Sequence, residues 1–169
     1  LALPPKNNWN RTVAANWWLF GSDRVKLGEL LKLTDRVLVC SQTSKYLGIT
    51  FLPSNIVFSV KVIIFPFSKC CDFTILQSRI HEIWAKFFGS SLEDRPVYTP
   101  SDCFETFPFP PNWETNPELE TIGKTYYEYR AQLMVQNNQG LTDTYNRFHD
   151  PNEDNPDILK LRQLHAEMD

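Results

Sequence analysis

Apolar and polar positions change their spacing several times along this 169-residue chain, and each change marks an element. Residues 3–21, "LPPKNNWNRTVAANWWLFG", follow no period and read as a loop-rich lead-in carrying Trp9, Trp17 and Trp18. Across 22–33 the positions Val25, Leu27, Leu30, Leu31 and Leu33 make a rough apolar face behind a potential Ser22 cap, predicting a short helix that Gly28 weakens. Three β-rich stretches follow. "RVLVCSQ" (36–42) and "YLGITFL" (46–52) are joined by a short "TSK" and predict a hairpin, with Pro53 stopping the second strand. "NIVFSVKVIIF" (55–65) predicts the longest strand. It puts Ile56, Phe58, Val60, Val62 and Ile64 on one face and Val57, Ser59, Lys61 and Ile63 on the other. One face is wholly apolar, so the strand is expected to be covered on that side and open on the other.

The period then turns helical. In "DFTILQSRIHEIWAKFFG" (72–89), Leu76, Ile80, Ile83, Trp84 and Phe87 share one face, and Gly89 is a natural stop. "YTPSDCFETFPFP" (98–110) carries three prolines and four aromatic residues, which predicts a stiff aromatic strap closing the module. "PPNWETNP" reads as a linker. The 117–140 stretch has Leu119, Ile122, Tyr126, Tyr129 and Leu133 spaced three and four apart. It is the strongest helix in the chain, and its narrow stripe suits packing on one partner helix. "LTDTYNRFHDPNEDNP" predicts a helical turn and an acidic loop, and 156–168 a last helix with Ile158, Leu161, His165 and Met168 on one face. The expected fold is α+β: a small mixed or antiparallel sheet backed by helices (1–112), followed by a helical C-terminal appendage (113–169).

Composition narrows the class. Charged residues are 22% and hydrophobic ones 42%, which excludes disorder throughout. The start "LALPPKNNW" lacks methionine, and helical periodicity still runs at the last residues. The chain therefore reads as a piece of a longer protein, with a trimmed terminus as the plainer alternative. No apolar run reaches the ~18 residues needed to span a bilayer, and no signal peptide is visible. The four cysteines (Cys40, Cys70, Cys71 and Cys103) show no CxxC spacing, and the three histidines lie far apart. A reducing cytoplasm and no metal site are expected. The net charge of -3 hides an asymmetry. Residues 1–90 hold eleven Lys/Arg against five Asp/Glu (+6), and residues 91–169 six against fifteen (-9). A basic half beside an acidic one suggests that the first half meets a polyanion, unless it is charge scatter.

Catalytic chemistry is hard to place. There is no GxSxG, no P-loop and no GxGxxG, and six glycines leave little room for phosphate-cradling loops. Glu93–Asp94 and Glu153–Asp154 sit in turn-like, solvated stretches. His81 beside an apolar face reads as a satisfied, partly buried histidine, and Cys103 as a packing thiol. "CSQTSKY" (40–46) is different. Ser41, Gln42, Thr43 and Ser44 offer short hydrogen-bonding groups between two strands, and Lys45 adds a phosphate-seeking charge. Arg24, Lys26, Arg36 and Lys61 lie close in sequence or sheet position. Gln pairs with adenine edges, and Lys and Arg contact guanine or phosphate, so these nine residues are the candidate DNA-binding set. A simple polar hairpin turn is the alternative.

"FTILQSRIHEIWAKFFGSSLEDRPVYTPSDCFETFPFP" resembles the specificity region of adenine-specific DNA methyltransferases of restriction–modification systems. These are type IIG and related fused enzymes with a TaqI-like C-terminal specificity domain. Leu76, Gln77 and Ser78 stand at that family's Leu-Asn-Ser-like step, and Phe107, Pro108, Phe109 and Pro110 at its closing apolar-Pro-apolar-Pro signature. The resemblance runs over about residues 9–169. Gln77 departs from the usual Asn, which leaves that side chain without a carried-over role. The family's cofactor glycine motif and its Asn-Pro-Pro-Tyr motif are absent, and no nuclease Asp…Glu-x-Lys motif stands out. The resemblance therefore implies a non-catalytic target-recognition domain that binds double-stranded DNA. Adenine-N6 methylation with S-adenosylmethionine, and any cleavage with Mg2+, would belong to an N-terminal catalytic domain of the same polypeptide. A protein-interaction module using the 117–139 helix is the rival reading, and a small free-standing enzyme fits least.

Overall fold

The computed structural model describes residues 25–92 and 95–169. After a short helix α1 (Val25–Leu31), three antiparallel strands form a sheet in the order β2 (Thr50–Pro53), β1 (Arg36–Ser41), β3 (Val62–Phe65). The predicted hairpin is present, with Arg36 opposite Pro53 and Val39 opposite Thr50. On its other edge β1 pairs Leu38 with Phe65 and Ser41 with Val62. Two predicted strands are shortened. The second begins at Thr50 rather than at 46, and the third at Val62 rather than at 55. A strand persists only where a neighbour satisfies its backbone groups. β1 ends at Ser41, and the last rung beyond the ladder is the Gln42 N–H donating to the Lys61 carbonyl at 2.8 Å. Residues 55–60 overhang that end, which leaves Ile56 and Val60 exposed instead of on a covered face.

The predicted 72–89 helix is two helices, α2 (Cys70–Gln77) and α3 (Arg79–Phe88), separated by Ser78 in an extended conformation (ψ 156°). Ser78 serves both ends: its hydroxyl donates to the Ile75 carbonyl at 2.8 Å and accepts from the His81 N–H at 3.2 Å. All eight residues of α2 are buried. Full burial of a side chain such as Phe73 contributes roughly 1.5–3 kcal/mol. The polar members of α2 are matched inside. Asp72 accepts from the Lys69 N–H and the Trp113 indole, and Thr74 donates to the Leu119 carbonyl at 2.7 Å. The extended residue re-phases the second helix. α3 buries His81, Glu82 and Ala85, while the expected inward residues Ile80, Ile83 and Phe87 stand 57%, 55% and 79% exposed.

Beyond a small hairpin of β4 (Ser90–Leu92) and β5 (Arg95–Val97), the aromatic strap contains α4 (Pro100–Cys103), with Pro100 in its first turn where a missing N–H is harmless. Tyr98, Cys103 and Phe107 are buried. Tyr98 and Phe104 pack on the Phe65 ring at 5.7 and 5.3 Å, and Phe107 packs on His81 at 4.7 Å. A 3-10 turn (Trp113–Thr115) leads to α5 (Pro117–Gln136), α6 (Leu141–Phe148) and α7 (Pro156–Ala166). Asn116 caps α5 and Asn155 caps α7.

Packing continues across residue 112 without a break. Leu38, Phe65 and Phe73 share one core with Tyr126, Leu133, Ile158 and Leu161. α5 lies against α2 along Gly123, Tyr126, Arg130 and Leu133, so its apolar stripe is spent inside the fold and is not free for a partner. Among the described residues no helix is long and apolar enough to cross a membrane.

A Cβ at Gly123 would run into Thr74 Oγ1 and the Cys70 carbonyl, so the two helices approach at the limit of contact. Gly123→Ala is expected to cost at least about 2 kcal/mol despite the better helix propensity of alanine, read as a lower urea midpoint. A second expectation concerns pH. Burial holds His81 down at about 4 and lowers His149 and His165 as well. Below pH 6.5 the unfolded chain takes up protons that the folded histidines refuse. Stability is intact above the unfolded value and falls as pH drops from about 6.5 towards about 4, checked by denaturation midpoints across that range.

Candidate nucleic-acid interface

The polar loop after β1 is held by backbone bonds on both sides. Gln42 donates its N–H to Lys61 and accepts at its carbonyl from the Tyr98 N–H, both at 2.8 Å. Thr43 bridges Val97 of β5, and the Ser44 N–H reaches the Pro96 carbonyl at 3.4 Å. Residues 42–44 are thereby clamped between the start of β3 and the β4–β5 hairpin. Two hydroxyls stiffen the loop from within: Ser41 donates to the Thr43 carbonyl at 2.9 Å and Ser44 to the Tyr46 carbonyl at 2.6 Å. The Gln42 amide and Thr43 hydroxyl make no side-chain hydrogen bond within the described residues. A rigid backbone thus presents uncommitted donors and acceptors.

Cations gather around this loop. Lys45 is exposed, with its ammonium 5.0 Å from the Tyr46 ring centre, and Tyr46 in turn stacks on His149 at 4.0 Å. Lys61 is exposed and joined to Gln42 through the backbone. Arg95 is exposed on β5, two residues from the Thr43 bridge, and sequence reasoning passed it over within a stretch read as a solvated turn. None of the three meets a carboxylate within 4 Å among the described residues. Three cations away from the loop are committed: Arg79 and Lys86 to Glu82, and Arg147 to Glu153.

The structure therefore brings Ser41, Gln42, Thr43, Ser44, Lys45 and Lys61 together and adds Arg95. It does not bring Arg36 to them. That residue stands at the opposite end of β1, roughly 17 Å away at strand rise. Its guanidinium lies 3.9 Å over the Phe51 ring, and its Nε donates to the Ser68 carbonyl at 2.9 Å, a packing role. Lys26 is exposed on α1 with no bond tying it to the loop. Arg24 lies outside the described residues, as do Glu93 and Asp94. Beside the loop, a groove of about 270 Å3 separates Val39, Thr50 and Leu52 of the sheet from Leu141, Tyr145 and Asn146 of α6, with Ser44 and Lys45 at its rim.

Titratable side chains elsewhere have structural partners. His81 is fully buried, with Nδ1 2.7 Å from the Leu76 carbonyl and Nε2 3.1 Å from the Tyr98 hydroxyl. All four cysteines are free and buried; burial pushes the Cys40 thiol up to about 12 and raises Cys103. Among the described residues no group of three His, Cys, Asp or Glu converges as metal ligands would. The arrangement has the features of a recognition surface: a fixed backbone, amide and hydroxyl groups left uncommitted and cations left unpaired among the described residues.

Comparison with known proteins gives a consistent family. A family model described as "MmeI, target recognition domain" matches residues 8–111. The solved structure of the Type IIL restriction-modification enzyme MmeI in complex with DNA superposes with a TM-score of 0.71 at 22% identity. That alignment covers 97% of this chain and 21% of the MmeI chain, so the present chain spans about a fifth of that protein. No curated protein matches. With the family model spanning most of the described α+β module, including the clamped loop and its flanking strands, the chain belongs to the MmeI target recognition domain family.

Proposed function

We propose that this chain reads the DNA target of a restriction–modification enzyme whose chemistry lies in the rest of the polypeptide. The observation that carries this is the clamped 41–45 loop ringed by Lys45, Lys61 and Arg95, none of which meets a carboxylate among the described residues. Lys and Arg neutralise phosphates and release counterions, which gives affinity without sequence preference. Gln42 and Thr43, with uncommitted polar groups on a fixed backbone, suit direct reading of base edges in the major groove. Double-stranded DNA is the ligand. The catalytic domain of the same polypeptide would flip the target adenine and methylate N6 with S-adenosylmethionine, and would use Mg2+ if it also cleaves. Free, buried cysteines fit a reducing cytoplasm.

Two outcomes are expected in the enzyme that carries this chain. Replacing Lys45, Lys61 and Arg95 with alanine lowers affinity for all duplexes alike, and flattens the plot of log K against log salt by about one unit per cation lost. Gln42→Ala instead changes which base is accepted at one position, by about 1–3 kcal/mol of discrimination, with little change in the salt slope. Anisotropy titrations over a panel of single-base variants at several salt concentrations separate the two. Unchanged affinity in the triple variant would sink the assigned surface.

A further inference from the structure

α3 turns its apolar stripe to solvent. Its inner face is His81, Glu82 and Ala85; roughly half a turn away, at about 100° per residue, Ile80, Ile83 and Phe87 form an outer stripe that is more than half exposed. Exposed apolar stripes of this kind mark interaction sites. The stripe continues into Trp84 and Phe88, whose rings lie 4.4 Å apart, with Phe87 4.9 Å from Phe88. Trp84 is held in place by its indole N–H donating to Thr106 at 3.1 Å and by Phe107 at 5.8 Å, so the patch is pre-organised by the strap. Large anchored aromatic groups of this sort dominate protein interfaces.

We propose that the outer face of α3 is the surface on which the catalytic body of the same polypeptide docks. This rests on the recognition reading above. Charge gives DNA little hold here: both cations of this helix, Arg79 and Lys86, are engaged by Glu82, which leaves one net positive charge beside the stripe, and the stripe itself offers no donor to a phosphate. Length argues for the polypeptide: a chain organised like MmeI has about four-fifths of its residues outside this domain, by the 21% coverage. Position argues the same way. Glu82 and Ala85, on the side of α3 turned away from the stripe, line one small crevice with Ser41, Gln42 and Lys45, so a body seated on the stripe leaves the proposed DNA-facing loop open. A recognised word and a modified base have a fixed spacing, and holding it requires a rigid seat rather than a tether.

The test places p-benzoylphenylalanine at position 87 of the full-length enzyme. Irradiation is expected to give a crosslink within one polypeptide, to a peptide outside residues 1–169. A crosslink to DNA, to a second copy or to a peptide of residues 1–169, or no crosslink at all, overturns the proposal. In parallel, Ile83→Glu with Phe87→Ser is expected to lower site-specific modification at least about 10-fold while DNA affinity stays within about two-fold. The Lys45, Lys61 and Arg95 variant acts in the reverse sense, on affinity first. If that variant leaves affinity untouched while the crosslink forms, the recognition surface is wrong and the docking face stands.

Discussion

One buried guanidinium ties this domain together. Arg130 is 2% exposed and has no carboxylate partner among the described residues. Its Nη1 donates to Gln77 Oε1 at 3.2 Å and to the Tyr145 hydroxyl at 2.8 Å, and its Nη2 to the Ile49 carbonyl at 2.7 Å. Four rings, Phe73, Tyr126, Tyr127 and Tyr145, surround it at 5.3–5.8 Å. Aromatic faces and neutral acceptors thus stand where a counter-ion would otherwise be required. Gln77 completes the knot: it accepts from the Ile49 N–H at 2.8 Å, donates to the Leu47 carbonyl at 3.0 Å, and offers its own carbonyl to His165. One cluster therefore joins β2's approach, α2, α5, α6 and α7.

That junction ties the helical segment to the polar loop. The loop at 41–45 is anchored at its far end by Leu47 and Ile49, which the Gln77–Arg130 pair holds. Tyr46, next to the loop, stacks on His149 at the end of α6. Residues 113–169 act as a brace that fixes where the polar loop points. Rigidity of this kind is what base discrimination requires, since a hydrogen bond to a base edge tolerates little displacement.

Much of this was legible locally. The β-branched runs with a short connector marked the hairpin, Pro117 marked the first turn of α5, and the proline-rich aromatic stretch marked the strap. The misreadings share a cause. Ser78 breaks a periodic helix because its hydroxyl serves two helix ends, and this turned Ile80, Ile83 and Phe87 outward. Residues 55–60 alternate like a strand but find no partner beyond Ser41. Arg36, expected beside the polar loop, lies at the far end of β1 over the Phe51 ring, and Arg95, outside the expected set, comes near the loop because Val97 meets Thr43.

By itself the sequence determined the α+β class, most helices, the hairpin, the absence of a recognisable catalytic motif and the polar loop with its lysines, because these depend on residue type and short-range period. Only the tertiary structure decided which cations stay unpaired, which apolar face remains open and what the buried Gln77 and Arg130 are for. Each of those is a property of partners distant in the chain: Arg130 and Ile49 are 81 residues apart. Spacing along a chain records which groups share an element, whereas pairing between elements depends on the fold that brings them within a few ångströms.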